Sequence, residues 1–428
     1  MRRPHTRGVT WTLLALACAT LTPAPATATP PPEPASVTRP ATVAPAPGGS
    51  LVFIRRHDVW LAHGDGSGAY RVTYDGTAAR PYRSPSQSDT GVIAVGHGKD
   101  IVTMTQNGTV LNRLDPPPLV GPADTPPADV SISPDGRHIA YTLVAHQCDL
   151  GTPGCRPSVA SGITRADRLT SASTYGISTL WSPSWASNNR VILSGGYLYQ
   201  VMLQDLGQQP VHWFDDQDLV PPGTSTDLGD AELSPDGKRL AAVRGYGDSI
   251  TITWYEVRGD ARNGAPPPPP EWTCLTVPPM AGLSSPTWAP DSLHLAWEEP
   301  DGIWTATTDT PCAQPSRLIA DASQPDWSAA RLAPKPRRLV AAKAPVVKGK
   351  PLVGRTLTAR PATFRPGAST ISYRWRCNNR PVKGAKRPKL RLTRKHRGCR
   401  ITVQVTGSRS GYQSATATSR PTKRVIRR

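Results

Sequence analysis

Short runs in which apolar and polar residues alternate, separated by turn signals, fill most of the chain. The clearest is Val130-Ser-Ile-Ser-Pro-Asp-Gly-Arg-His-Ile-Ala-Tyr-Thr142. Its pattern predicts a strand, a tight turn and a second strand. Pro134 presets φ near about −65° for the first corner of a β-turn, and Asp135 can bond its own backbone at the next. Gly136 relaxes the steric limit where the chain leaves the turn, and Ile139 and Tyr141 then alternate with His138 and Ala140 at the period of two that a strand needs. One such hairpin cannot bury its faces alone, so repetition decides the fold.

The phrase returns as Ala231-Glu-Leu-Ser-Pro-Asp-Gly-Lys-Arg-Leu-Ala-Ala242, as Pro286-Thr-Trp-Ala-Pro-Asp-Ser-Leu-His-Leu-Ala-Trp297 and, weaker, as Pro183-Ser-Trp-Ala-Ser-Asn-Asn-Arg-Val-Ile-Leu193. A further copy, from Pro81 to Val95, keeps Ser84-Pro85 and Val92-Ile-Ala94 around what reads as an enlarged turn. Anchored on Ser84, Ser133, Ala186, Ser234 and Ala289, the spacings are 49, 53, 48 and 55 residues. These are long for four strands and point to inserted loops. A last copy, Pro325-Asp-Trp-Ser-Ala329, has no second strand after it. Leu51-Val-Phe-Ile54 and Asp58-Val-Trp-Leu-Ala62 have the shape of the second and third strands of a unit lacking its first. Joining the two ends would complete one unit and close a ring of six.

Pro-x-Trp-Ser-Pro-Asp-Gly-x-x-Ile-Ala resembles the repeat of the TolB-like (PD40, WD40-like) β-propellers, which are typically six-bladed and closed by pairing of the chain ends. The resemblance covers roughly residues 49–331 and implies protein binding at a propeller face. Each Asp of Ser-Pro-Asp-Gly is read as a turn former, and Ala94, Ala140, Ala241 and Ala296 as places where blades approach closely. A ring of blades leaves only short, protected edges.

Residues 1–28 read as a secretory signal peptide: Arg2, Arg3 and Arg7 precede an apolar run from Val9 to Leu21, and Ala26-Thr-Ala28 offers a small-residue cleavage site. Leu14-Ala-Leu-Ala-Cys18 loosely resembles a bacterial lipobox, so anchoring through an acylated Cys18 is the alternative to release. No later stretch is long and apolar enough to predict a transmembrane helix. Residues 29–48 are a Pro/Ala-rich linker. Of seven cysteines, removal of Cys18 leaves an even number, which suits an oxidising compartment. Proximity favours Cys148 with Cys155, Cys377 with Cys399 and, by elimination, Cys274 with Cys312. No zinc spacing is present, and no cofactor is expected.

Two long interruptions are predicted in the propeller, His146 to about Ala172 and Asn263 to Glu271, the second containing Pro266 to Pro270. Loops of this kind usually carry binding function on such scaffolds. Asp215, Asp216 and Asp218, beside Trp213 and Phe214, form an acidic patch that could hold a cation, face a basic partner or simply be a solvated loop. Gly64-Asp-Gly-Ser-Gly68 joins two strands and reads as a turn rather than a phosphate cradle.

Charge changes the picture after Leu332. Residues 331–428 carry 28 Lys plus Arg and no Asp or Glu, whereas the preceding 330 residues carry 22 basic against 31 acidic, a net −9. Residues 333–345 read as a basic linker, 346–422 as a small β-sandwich and 423–428 as a basic tail. Within the middle stretch, Gly354 to Ala359, Ile371 to Cys377, Lys389 to Thr393 and Arg400 to Val405 alternate, with turn signals between them. This stretch resembles the Ig-like repeats of secreted and cell-surface actinobacterial proteins, through Val353 to Ala359, Tyr373 to Trp375, Gly384-Ala385, Leu392-Thr393, Ile401 to Gly407 and Gly411 to Ala415. Where that family usually has an acid, the chain has Lys395-His-Arg-Gly398. Arg374, Arg376, Lys383, Lys386, Arg387, Lys389, Arg391, Arg394, Lys395, Arg397 and Arg400 are the candidate anion-binding residues, dense enough to predict charge on both faces of every strand there.

No Gly-x-Ser-x-Gly, His-Glu-x-x-His or Walker loop occurs. His63, His97, His138, His212 and His294 fall on different repeats and could converge on a central channel. The expected whole is all-β, a propeller over 49–332 plus the sandwich, in a secreted or envelope-associated binding protein. Its expected partners are a protein or glycan at a propeller face and an anionic wall polymer or lipid at the basic module, with no specific nucleic acid. The alternative is a propeller enzyme, a lyase or hydrolase on a polysaccharide or small metabolite, with its site at the channel mouth.

Overall fold

A computed structural model describes residues 47–119, 125–146, 158–195, 200–221, 223–309, 314–335, 337–409 and 412–427. The signal peptide, most of the N-terminal linker, Cys18, Cys148, Cys155 and Cys312 lie outside the described residues.

Among the described residues, six four-stranded antiparallel sheets follow one another along the chain. Their innermost strands, in blade order, are Ser323–Ser328, Tyr82–Gln87, Pro127–Ile132, Trp181–Ser187, Leu228–Leu233 and Ser284–Trp288. Each packs on the next, and the last packs back on the first, so the sheets are the blades of a closed β-propeller. The closing blade is composite: Ser323–Ser328 pairs antiparallel with Ser50–Arg55, which pairs in turn with Asp58–His63. This is the joining expected from the split repeat.

The repeat phrase builds the junctions between blades. Ala94, Ala140, Ala241 and Ala296 are all at most 1% exposed, and each lies in an apolar cluster with residues of the following blade. A larger side chain there would separate the sheets. The tryptophans wedge between blades: the Trp185 indole donates to Ser131 O at 3.0 Å and that of Trp288 to Glu232 O at 3.0 Å. The Ser-Pro-Asp-Gly aspartates are turn formers. Asp135 Oδ1 accepts from Ser133 Oγ at 2.7 Å and Arg137 N at 3.0 Å, and Asp236 repeats the pattern with Ser234 and Lys238.

Two expectations change. The second blade's turn is not enlarged: Gly91 N donates to Ser88 O at 2.9 Å, as Gly136 does to Ser133 and Gly237 to Ser234. Ser88, not Ser84, is therefore the equivalent of Ser133, and Ser88-Asp-Thr-Gly91 is a Ser-Pro-Asp-Gly turn that has lost its proline. The interruption from His146 to Ala172 also contains Ser158–Arg165, the third strand of its blade, paired with His138–His146.

The C-terminal region is a β-sandwich. A five-stranded sheet containing Thr370–Cys377, Ile401–Arg409 and Tyr412–Thr418 covers a core that includes Trp375 and Val403, and the three-stranded sheet of Val346–Lys348, Thr356–Arg360 and Lys389–Arg391 covers the same core with Leu357 and Leu390. Within the predicted linker, Arg337–Arg338 and Val340–Lys343 are strands paired with Tyr412–Thr418 and Thr363–Arg365, because Leu339 is buried between them. Within the predicted tail, Val425 is 1% exposed and its N–H bonds Cys399 O at 2.9 Å. The Cys377 and Cys399 Cα atoms are 5.2 Å apart, with the sulfurs in bonding contact. Leu332 packs into the core of the first two blades, and Gln106 Nε2 donates to Arg331 O at 3.1 Å, so the propeller holds the start of the connection. Gln413 Nε2 reaches Asn107 O at 2.8 Å, and the Arg338 guanidinium lies 3.7 Å from the Tyr74 ring centre.

Candidate functional site

An innermost blade strand is an edge strand, and its outward N–H groups need partners. Here the neighbouring blade supplies them from side chains. Five of the six innermost strands bulge at one residue of positive φ: Ser84 at 46°, Ser182 at 49°, Asp230 at 45°, Ser285 at 52° and Gln324 at 52°. None is glycine, and such backbone costs about 1–3 kcal/mol per residue unless the surroundings impose it. At four of the five they do. Ser84 N donates to Gln324 Oε1 at 2.8 Å, Ser182 N to Asp129 Oδ2 at 3.4 Å, Ser285 N to Asp230 Oδ2 at 3.4 Å and Gln324 N to Glu298 Oε2 at 2.8 Å.

One turn deeper the pattern repeats. Trp288 N and Thr287 Oγ1 donate to Glu232 Oε1 at 2.9 and 3.1 Å, Trp327 N donates to Thr287 Oγ1 at 2.9 Å, Ile132 N to Ser86 Oγ at 3.1 Å, and Gln87 N to Asp326. These side chains wall a central channel. Its narrower end, about 150 Å³, is lined by Asp129, Asp230, Glu232 and Asp326 among serines and prolines, with no basic residue. The wider end, about 380 Å³, shares Glu232 and Asp326 and has Arg262 at its rim.

The carboxylates are half-buried, set among protein atoms, and burial raises the pKa values of Asp129, Glu232 and Asp326. Asp129 is pushed to about 6, with the Asp230 charge adding to burial. Glu232 and Asp326 are raised well above the usual carboxylate range, foremost by burial, and for Glu232 also by the Asp326 charge. Glu298 is raised by burial as well.

The histidines do not gather here. None lines either end of the channel. His97 is stacked on Tyr82 at 3.9 Å, His138 lies against Tyr175 and Trp185, His294 bonds Asp291 at 2.7 Å beside its turn, and His63 and His212 sit at an exposed strand end and on an outer strand. The acidic patch divides. Asp216 is buried and held by Arg244 through two bonds of 2.8 Å, whereas His212, Asp215 and Asp218 bring one ligand atom each within 4.8 Å of one another. Asp215 already caps a short 3₁₀ turn together with Asp218.

Of the eleven candidate anion-binding residues, all but Arg376 are exposed, and Arg376 donates to Gln404 Oε1 at 2.9 Å. The expectation of charge on both faces of each strand is corrected. Trp375 separates Arg374 from Arg376 and points into the core, as Leu390 does between Lys389 and Arg391. The cations are thereby split between opposite outer faces of the sandwich. Lys383, Lys386, Arg387, Arg394, Lys395, Arg397 and Arg400 lie in the connections. On the three-stranded sheet, Lys348, Thr358 and Lys389 stand in register, with Arg391 and Arg360 on the same exposed face. Lys348 and Arg360 escaped the sequence reading because they lie outside the dense run; cross-strand register alone brings them in. Cys274 is disulfide-bonded. Among the described residues no helix is long and apolar enough to cross a membrane.

No family model matches the sequence, and no curated protein matches it. Among solved structures, TolB from Acinetobacter baumannii is 16% identical with a TM-score of 0.41, covering 65% of this chain and 66% of its own, so the chain spans just under two thirds of that protein. The β-propeller domain of Cps50 (Swd1) from Myceliophteria thermophila is 10% identical with a TM-score of 0.38, covering 64% of this chain and 86% of its own. A Bacteroides caccae protein of unknown function is 9% identical with a TM-score of 0.35, covering 61% and 83%. At these values the likeness adds nothing about ligand or partner.

Proposed function

We propose that the chain is an exported binding protein: a propeller that serves as an interaction platform, and a basic, Ig-like sandwich that holds it to anionic wall polymer or lipid. Export follows from the signal-peptide pattern of residues 1–28, with release or lipid anchoring through Cys18 as its two forms. The anchoring reading is carried by one observation, the exposed face bearing Lys348, Arg360, Lys389 and Arg391 in a region without a single carboxylate. Near an anionic membrane each such charge adds about 1 kcal/mol, and the attraction fades as salt shortens the Debye length.

Sedimentation of the full chain with phosphatidylglycerol vesicles, and with purified teichoic-type polymer, tests this. Binding in 20 mM salt (on the order of a 20 Å Debye length) that is lost near 1 M supports anchoring. Lys389→Glu with Arg391→Glu should weaken it more than Arg374→Glu with Arg376→Glu. No binding at low salt, or equal binding in 1 M, overturns it.

A further inference from the structure

The two outer faces of the sandwich differ in charge. On the five-stranded sheet, Arg374 and Arg376 stand among the neutral Ser372, Thr402, Gln404 and Thr406, and Arg376 is already bonded to Gln404 Oε1 at 2.9 Å. On the three-stranded sheet, Lys348, Arg360, Lys389 and Arg391 are all exposed, with Thr356 and Thr358 beside them. Among the described residues none of these four cations has a hydrogen bond or an ion pair within the protein.

Register fixes their spacing. Lys389 and Arg391 are alternate residues of one strand, with Cα atoms about 6.6–6.8 Å apart. Thr358 stands opposite Lys389, so Arg360 is the diagonal neighbour of Lys389, at about 7–8 Å. Arg360, Lys389 and Arg391 thus form a row of three cations at nearly even intervals. Lys348 flanks the row, two strands from Lys389 in the same register.

A polyanion that matches such a row carries one charge for each interval. In a polyol phosphodiester such as poly(glycerol phosphate), six single bonds separate successive phosphorus atoms; at the extension of a peptide backbone, about 3.8 Å for every three bonds, they span at most about 7.6 Å. Lysine, arginine and threonine side chains all donate to phosphate oxygens. Two other polyanions match less well. A lipid surface rewards aromatic and long apolar side chains that enter it, and Val346 is the one exposed apolar residue of these three strands. Single-stranded nucleic acid is held by stacking of its bases on aromatic side chains, and the three strands contain none.

We propose that this face binds a linear polyol phosphodiester lying along the strands, with successive phosphates on Arg360, Lys389 and Arg391, and with Lys348 and the threonine hydroxyls at its edge. This assignment rests on the anchoring reading above and narrows it from anionic surfaces at large to one polymer chemistry.

Isothermal titration of the full chain in low-salt buffer tests it with glycerol 1-phosphate, a glycerol phosphate oligomer of three phosphates, a thymidine tetranucleotide, which also has three phosphodiesters, and phosphatidylglycerol vesicles. The oligomer should bind at least about tenfold tighter than the monomer and no more weakly than the tetranucleotide. Lys389→Gln with Arg391→Gln should weaken it about tenfold or more, and Arg374→Gln with Arg376→Gln, which removes the same charge from the opposite face, less than about threefold. Lys348→Gln with Arg360→Gln is the second pair should the first disturb the fold, with the same loss expected. The proposal is overturned if affinity does not rise from one phosphate to three, if variants of the two faces lose affinity equally, if the tetranucleotide binds tighter than the oligomer, or if vesicles bind and the oligomer does not. In that last case anchoring to a lipid surface survives; if neither vesicles nor oligomer bind, anchoring falls as well.

Discussion

Leu51 stands opposite Trp327 in the antiparallel pair that closes the ring, and the Trp327 indole donates to Gly48 O at 3.1 Å. The first and last strands of the propeller are thus one blade. Trp327 is 6% exposed and packs with Leu51, Phe53 and Ala296. Trp327→Ala should cost about 3–5 kcal/mol, read from urea denaturation. Removing residues 49–62 should leave an unpaired edge and a protein that aggregates on light scattering. A monodisperse, equally stable truncation would contradict closure by this strand.

Asp216 and Arg244 form a buried two-pronged ion pair, with side-chain exposures of 2% and 19%. Asp216→Ala should destabilise by about 3–5 kcal/mol, because it strands a buried guanidinium. The double replacement Asp216→Leu with Arg244→Met should lose less than the single one. Chemical denaturation of the two variants compares them directly.

Cys377 and Cys399 are 22 residues apart in sequence. In the chain-entropy model a bond closing such a loop contributes about 3 kcal/mol. Cys377→Ser should lower the sandwich's unfolding free energy by that amount, read from urea denaturation, and mass spectrometry after alkylation of the folded, unreduced protein should find neither cysteine labelled. Ready labelling of either thiol would refute the bond.

The channel acids set the sign of a pH dependence. Asp129, Glu232 and Asp326 have folded-state pKa values above their ordinary ones, so the folded chain holds protons that the unfolded chain has released. Their contribution to stability is greatest below the ordinary carboxylate range, near about pH 4. It falls as pH rises through the raised values, about 6 for Asp129. Glu232→Gln with Asp326→Asn removes this penalty. The variant's melting temperature relative to the parent should climb from pH 5 to pH 8, by differential scanning fluorimetry. A constant difference would show that these groups titrate normally.

The sequence by itself determined the repeat, the closure and every turn that keeps Pro-Asp-Gly, though not the Ser88-Asp-Thr-Gly91 turn, which lacks the proline. Pro134-Asp-Gly136 and its copies act through local torsions, and the alternation of Ile139 and Tyr141 acts through the pleat, so neither needs the rest of the chain to be recognised. The split between Pro325-Asp-Trp327 and Leu51-Val-Phe-Ile54 foretold the composite blade for the same reason. Tertiary structure decided the channel. Its lining depends on bulges at Ser84, Ser182, Asp230, Ser285 and Gln324, non-glycine residues at positive φ, and at all of them but Asp230 the N–H is held by a side chain of the neighbouring blade. A contact between blades leaves no periodic trace in either strand, so Asp129, Glu232 and Asp326 read as ordinary strand residues until the ring is closed. The sandwich divides in the same way. Its run of cations was plain in the sequence, but only burial of Trp375 and Leu390 sends those cations to opposite faces, and only register sets Lys348 beside Lys389.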